Sequence, residues 1–295
     1  MTATTSTESG TRGAGVISPP ISTRRYRLFD RVSRAFVLVA AAISVVFLMA
    51  PIVVIALVSF NRSPSLSVPP RTWSLDSYAG ISDALYASFV TSVQLAAVAT
   101  VVSVVLALPV SFWLARTSGA SVRLLDNLFR SPLQVPQIVA GVSLYQIFVF
   151  YQQLTGVSLR ATFLGLVLAH IVLVTPYVIS TCVSSIQGRG MDLEFAAASL
   201  GAGPLRVFWQ VSLPAIRQAV VASSILAALV SFDNVPLSLF LAGSGVTPLP
   251  VMLFSLSEQN LTPILYAAAT LAVVFSVILT ALLEKYVGLR KALQK

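Results

Sequence analysis

Long apolar stretches separated by short polar segments dominate this sequence. A helix needs about 20 mostly apolar residues to cross the hydrocarbon core of a bilayer. Alternating segments of about ten residues, which would indicate a membrane barrel, are not seen. The pattern therefore predicts an all-α, polytopic membrane protein with six transmembrane helices. We place them at residues 35–60, 88–114, 132–152, 163–185, 219–241 and 264–283.

The two ends of the chain lie outside this pattern. Residues 1–22 are rich in Thr, Ser, Gly and Pro and lack apolar periodicity, which predicts a disordered segment. Arginines follow up to Arg34, so we expect a basic N-terminal tail over 1–34 and one six-helix domain over 35–295. The apolar run 35–60 exceeds the roughly 7–15 residues of a signal-peptide core, so we interpret it as a retained span.

Composition supports the membrane assignment. Apolar residues make up 56% of the chain, charged residues only 10%, and the mean hydropathy is +0.88. A soluble domain carries about 25% charged residues. Cys182 is the only cysteine, so no disulfide can form within the chain.

The distribution of basic residues predicts the topology. The formal net charge is +9, and 16 of the 19 Lys and Arg residues lie in segments 1–34, 115–131, 186–218 and 284–295. Because basic residues favour the cytoplasmic side, this distribution predicts cytoplasmic N- and C-termini. It also accounts for the charge without a nucleic acid partner, because the basic residues follow the membrane topology.

Few polar groups fall inside the predicted spans. Asp233 lies near the outer end of the fifth span beside Asn234, and His170 lies in the fourth. An ionisable residue within a membrane is a candidate for function. We therefore predict that all three belong to a substrate path; the alternative is that they form hydrogen bonds between helices. Five spans contain a proline, which tends to kink a helix: Pro51, Pro109, Pro136, Pro176 and Pro236.

The segment between the fourth and fifth spans has the most specific pattern. We expect Asp192 to cap a helix that ends at Gly201, because glycine suits the left-handed turn at a helix end. Pro204 suits the first turn of a second helix, which we expect Pro214 to end. By contrast, the glycines and prolines of residues 242–263 predict an outer loop.

This segment resembles the EAA loop of permease subunits of ABC importers, which have the MetI-like fold. The resemblance is carried by Glu194, Ala196, Ala197, Leu200, Gly201, Val211, Leu213 and Pro214. Phe195 stands where the family usually has glutamate. The resemblance implies that the loop grips an ATPase, with six coupling residues: Glu194, Ala196, Ala197, Gly201, Leu213 and Pro214.

Further motifs resemble one branch of this family, the PotC-type spermidine/putrescine permeases. They are Trp73-Ser-Leu75-Asp76 before the second span and Ser231-Phe232-Asp233-Asn234 in the fifth. The branch usually has an acid where Asn234 stands. The resemblance implies a polyamine or another organic cation as substrate; thiamine, ferric iron and phosphonates are the alternatives carried by related branches.

The resemblance also implies partners: cytoplasmic ATPase subunits, a second permease subunit that is the same or different, and an extracytoplasmic substrate-binding protein. The chain itself lacks the GxxxxGK[ST] motif that cradles ATP phosphates, and its single histidine excludes HExxH. We therefore expect a non-enzymatic subunit in the bacterial inner membrane, without a cofactor or metal of its own. The alternatives are an ion-driven secondary transporter and a non-transporting membrane assembly protein.

Overall fold

The computed structural model describes residues 23–62, 67–243 and 245–287. Within these ranges the elements are helical, apart from two isolated β-bridges. The chain divides into two compact units, with the boundary between Pro51 and Ile52. Residues 1–22 of the predicted tail lie outside the described part of the chain, and helix α1 begins within the remainder of that tail at Thr23.

Helix α1, Thr23–Ser59, runs through the boundary between the units and contains Pro51. Its membrane segment, Ser33–Ser59, has a mean hydropathy of 2.9. Apart from Ser44, the side chains from Phe36 to Val54 are apolar on all sides, and they are exposed. A helix that is apolar all round, rather than along one stripe, is typical of a membrane span.

The second unit contains the remaining helices. Its first half consists of α2 (Asp76–Ala79), α3 (Asp83–Arg116), α4 (Ala120–Arg130), a 3₁₀ turn (Ser131–Gln134), α5 (Gln137–Thr155) and α6 (Phe163–Gln187). Its second half consists of α7 (Asp192–Ser199), α8 (Pro204–Val207), a π turn (Phe208–Ser212), α9 (Leu213–Ala215), α10 (Arg217–Phe232), α11 (Ser238–Leu241), α12 (Leu249–Gln259) and α13 (Pro263–Val287).

The predicted membrane spans are confirmed. Five helices of the described chain are long and apolar enough to cross a bilayer: α1, α3, α5, α6 and α13. Pro204–Ala215 and Arg217–Phe232 pass the same test only together and meet at an angle of 70°; counted as one broken span, they bring the number to six. Helix α10 itself has 16 residues, or about 24 Å at 1.5 Å per residue, which is short for a bilayer core of about 30 Å.

The core of the second unit forms where α3, α6 and α10 pack together. Small side chains recur on the buried face of α3: Ser88, Ser92, Ala96, Ala99, Ser103, Ala107 and Ser111. Such residues let helix backbones approach closely, and in a membrane this close packing replaces the hydrophobic effect as the source of association. The hydroxyl of Thr175 on α6 donates to that of Ser103 across this contact, at 3.1 Å.

Two predicted prolines do not lie inside helices. Pro136 precedes α5 as its N-cap residue, and Pro236 lies between α10 and α11. Both sites suit proline, which lacks the N–H needed in a helix interior. Pro51, Pro109 and Pro176 do lie within helices, as predicted.

The prediction of a loop over 242–263 is wrong in part, because α12 occupies Leu249–Gln259. Pro248 is its N-cap residue and Pro250 lies in its first turn, where a backbone N–H has no helical partner to lose. The prolines that suggested a loop therefore mark the start of a helix. Helix α4 was also missed, within the inner segment 115–131.

Candidate coupling and translocation site

A sharp glycine corner joins α7 to α8. Helix α7 ends at Ser199, and Gly201 has a φ of +85°, in the left-handed region. The Gly201 N–H donates to the Ala198 carbonyl at 2.9 Å, and the Ala202 N–H donates to the Ala197 carbonyl at 3.1 Å. These two bonds form a Schellman motif, which satisfies the last carbonyls of the helix. The predicted glycine corner is confirmed.

The start of α7 differs from the prediction. Met191 is the N-cap residue, and no side-chain hydrogen bond caps the helix. Asp192 is instead the first helical residue, and Glu194 lies in the same first turn. Acidic side chains are favourable there, because the N-terminal end of a helix carries a partial positive charge.

Beyond the corner, the chain forms a short arm that leads into the broken span. Gly203 is extended and Pro204 opens α8; the π turn Phe208–Ser212 and α9 follow. Pro214 does not end the arm as predicted, because α9 continues to Ala215, and the 70° bend falls at Ile216. We call residues 192–215 the coupling element.

The coupling element leaves large apolar side chains exposed. Phe195 is 60% exposed and Leu200 is 90% exposed, and Leu205 and Trp209 are exposed as well. Ala196 and Ala198 are exposed too, and their small side chains leave the surface of α7 open to close approach. An exposed apolar patch of this kind marks a surface for interaction with another protein or with a membrane.

Glu194 faces the body of the protein. Its Oε1 accepts from the Arg116 guanidinium at 2.8 Å and from the Ser212 hydroxyl at 2.8 Å. Ser212 directly precedes Leu213 and Pro214, so this bond connects Glu194 to the far end of the coupling element. The six predicted coupling residues thus lie on one continuous element, with Glu194 joining its two ends.

The second part of the site is the break in the fifth span. Helix α10 ends at Phe232, residues 233–237 are not α-helical, and α11 resumes at Ser238. A break at membrane depth frees backbone groups that must find partners, since no water is present in the bilayer core. The side chains around the break supply some of these partners.

His170 ties the two sides of the break together. It is fully buried, with its Nδ1 2.8 Å from the Ser231 hydroxyl on α10 and its Nε2 2.9 Å from the Ser238 hydroxyl on α11. Both ring nitrogens are thus occupied by hydroxyl groups, which can act as donor or acceptor toward either one. His170 is thus a buried bridge between α10 and α11.

Asn234 anchors the break itself. Its Nδ2 donates to Gln137 Oε1 at 2.9 Å, at the start of α5, and its Oδ1 accepts from the Leu237 N–H at 3.1 Å. The side chain is buried. It therefore satisfies one backbone group freed by the break and attaches the break to α5.

Asp233 differs from its neighbours because its side chain is exposed. In the part of the chain that the structure describes, its carboxylate has no hydrogen-bond or ion-pair partner. Ionisable residues within a membrane face a protein interior or a water-filled cavity. Of the three predicted path residues, Asp233 has an exposed side chain, whereas His170 and Asn234 are buried.

Four residues of these sites were not predicted from the sequence. They are Arg116, Ser212, Ser231 and Ser238. Arg116 lies 78 residues before its partner Glu194, and no local spacing connects them. A serine in an apolar helix indicates that its hydroxyl has a hydrogen-bond partner, but it does not indicate which residue that partner is.

Comparison with known proteins defines the class. A family model described as "Binding-protein-dependent transport system inner membrane component" matches residues 107–292, and this range includes the coupling element and the broken span. The chain belongs to this family, whose members are membrane-embedded permease subunits of ABC importers.

Particular relatives lie within the same class. The putrescine transport system permease protein PotI of Escherichia coli K12 is 30% identical over 233 residues, which cover 76% of this chain and 81% of PotI. The molybdenum transport system permease protein ModB of Mycobacterium tuberculosis is 33% identical over 232 residues, covering 75% of this chain and 84% of ModB.

Solved structures show the same fold. A chain of a bacterial ABC transporter that imports the acidic polysaccharide alginate matches with a TM-score of 0.68 at 16% identity, covering 91% of this chain and 99% of that one. A chain of the MetNI methionine ABC transporter in an inward-facing conformation matches with a TM-score of 0.55 at 17% identity, covering 70% and 97%. The predicted MetI-like fold is confirmed.

Proposed function

We propose that this permease carries a small organic cation, a polyamine first of all, and that ATP hydrolysed on separate cytoplasmic subunits drives it. A second permease subunit completes the path, and an extracytoplasmic binding protein delivers the substrate. The coupling element carries this proposal, because it combines an exposed apolar surface with a direct connection into the broken span. No cofactor is required in this chain.

The proposed orientation follows from the basic residues. Cytoplasmic N- and C-termini place Arg116, Arg189 and the whole coupling element on the inner side, where ATP is available. The break at Asp233 then lies toward the outer side, where substrate arrives. ATPase docking and substrate passage thus occur at opposite ends of α10.

A docking variant with a matched control tests the ATPase partnership. Ala196→Asp adds a charge to the exposed surface of α7, while Ala120→Asp adds the same charge to the exposed start of α4. The complex is extracted gently from native membranes and its subunits are identified by mass spectrometry. We expect wild type and Ala120→Asp to retain an ATPase with a Walker motif, and Ala196→Asp to lose it. If wild type retains none, the proposed energy source is wrong.

The exposed carboxylate at the break favours a cationic substrate. The relatives named above include permeases for putrescine and for molybdenum, so similarity alone leaves both charge classes open. A carboxylate on the path attracts a polyamine and repels an oxyanion such as molybdate, most strongly where little water screens the charge. The exposed carboxylate of Asp233 therefore supports a cationic substrate.

Uptake into vesicles tests this assignment. The reconstituted complex, with its own binding protein, is given radiolabelled putrescine, spermidine or molybdate. We expect polyamine uptake by wild type and a loss of about tenfold in Asp233→Asn, as when one charge-assisted contact is removed. Asp83→Asn, at the outer start of α3, is the control and keeps full uptake. Molybdate uptake, or full polyamine uptake by Asp233→Asn, would contradict the proposal.

A further inference from the structure

Three polar side chains from separate elements meet at the inner end of the second unit. Arg116 ends α3, Glu194 lies in the first turn of α7, and Ser212 ends the π turn. Both contacts use the same atom, Glu194 Oε1, and each is 2.8 Å long. We call these three residues the inner junction.

The inner junction is largely shielded from water. The side chains of Arg116 and Glu194 are 19% and 18% exposed, compared with 72% and 67% for the ion pair Arg62–Asp76 in the outer segment. An exposed ion pair contributes little to stability. A shielded pair differs, because removing one partner leaves the charge of the other with little solvation. The two side chains therefore depend on each other.

The direction of Glu194 separates it from the docking surface. Neighbouring residues of a helix point about 100° apart, so Glu194 and Phe195 face different directions. The structure turns Glu194 inward and leaves Phe195 60% exposed. In this chain Glu194 attaches α7 to the body of the protein, while the ring of the next residue, Phe195, points outward.

The elements joined here lead into different spans. Helix α3 runs from Arg116 through the core and packs along α6, whereas the arm continues through Ile216 into α10. Among the described residues, the inner junction supplies the side-chain hydrogen bonds that connect α7 to other elements. One of these bonds attaches α7 to a span that is distant in sequence.

We propose that Arg116 and Ser212 are positioning residues that act through Glu194 to make α7 move as one body with the inner ends of α3 and of the arm. ATPase motion is then delivered to two spans at once. This inference rests on the proposed function, since it concerns how the docking surface passes on motion. It assigns no contact with ATP or substrate to these residues.

The test measures how much substrate is moved for each ATP hydrolysed by the reconstituted complex. Glu194→Gln removes the charge but keeps an oxygen that accepts from Ser212. Asp126→Asn is the matched control, because Asp126 forms a 2.8 Å ion pair with Arg130 on the same side of the protein but within one helix. The double variant Arg116→Glu/Glu194→Arg restores a pair of opposite charges in reversed order.

We expect Glu194→Gln to bind the ATPase and hydrolyse ATP while its uptake per ATP falls about tenfold, as for loss of a hydrogen bond to a charged group. Asp126→Asn should match wild type, and the reversed pair should exceed Arg116→Glu alone. A merely structural role would lower protein yield without changing the ratio of uptake to hydrolysis.

The outcomes separate the two ideas. If wild type binds no ATPase, the proposed function fails and this inference fails with it. If wild type couples normally and Glu194→Gln keeps the same ratio as Asp126→Asn, only the inner junction is overturned. If Glu194→Gln cannot be recovered from membranes, the reversed pair decides: an uptake per ATP no higher than that of Arg116→Glu alone overturns the proposal.

Discussion

At the scale of single residues, buried hydroxyl and imidazole groups connect the two helices on either side of the break in the fifth span. His170 has no exposed surface and spans from Ser231 to Ser238 with its two ring nitrogens. A buried polar group that loses its partner costs more than the bond itself contributed, because water cannot replace the partner. His170, Ser231 and Ser238 therefore depend on one another without forming an ion pair.

Replacing His170 by phenylalanine should destabilise the protein. The ring volume is roughly kept, but Ser231 and Ser238 lose their partner, at a cost of about 1–3 kcal/mol. We expect a lower apparent melting temperature for the detergent-purified variant. Ser184→Ala, on the exposed side of the same helix, removes a bond within that helix only and serves as control. Equal melting temperatures for the two variants would contradict a bridging role.

Some residues of the site were predictable and others were not, for a physical reason. Gly201 was predicted because a left-handed turn at a helix end favours glycine locally. Arg116 was missed because its partner is fixed by packing between α3 and α7, which the sequence does not display. The inward direction of Glu194 is also a property of tertiary packing. For Asp233 and His170, depth in the membrane was predictable, but the different directions of their side chains were not.

At the scale of elements, the glycine corner makes a separate prediction. Gly201 has a φ of +85° and open space around its missing Cβ, so an added methyl group meets strain but no clash. We expect Gly201→Ala to lose about 1–2 kcal/mol of corner stability, and native complexes containing it to retain less ATPase. The measurement is the fraction of ATPase retained at increasing detergent concentration.

Gly203→Ala is the matched control for the corner. Gly203 also has open space around it, but its φ of −68° and ψ of 161° suit any residue, and they suit a residue before proline especially well. We expect this variant to retain ATPase as wild type does. Equal losses in both variants would show that surface shape, rather than backbone conformation, controls docking.

Element boundaries were the less predictable part of the fold. Apolar length gave the spans, since the bilayer fixes how long a span must be. Proline gave ambiguous information, because it fits both a loop and the first turn of a helix, as Pro250 shows in α12. The break after Phe232 was predicted only as a kink at Pro236. The extent of the segment 233–237 that is not α-helical depends on tertiary contacts, including the hydrogen bond from Asn234 to Gln137 on α5.

For the whole molecule, the topology is open to a direct test. After Cys182→Ser, single cysteines are placed at Ser158, in the connection between α5 and α6, and at Ser121, in α4; both positions are exposed. We expect a membrane-impermeant thiol reagent to label Ser158→Cys in intact spheroplasts and Ser121→Cys only after the membrane is opened. The reverse pattern would place the coupling element outside and exclude a cytoplasmic ATPase.

The bend at Ile216 has a mechanical consequence for the transporter. The arm Pro204–Ala215 and the span Arg217–Phe232 meet at 70°, with a single residue between them. A push along the arm is therefore directed mainly across the axis of the span and only to a lesser extent along it. We propose that such a push swings the Ile216 end of the span sideways, while the Phe232 end, held through His170 and Asn234, stays in place as the pivot.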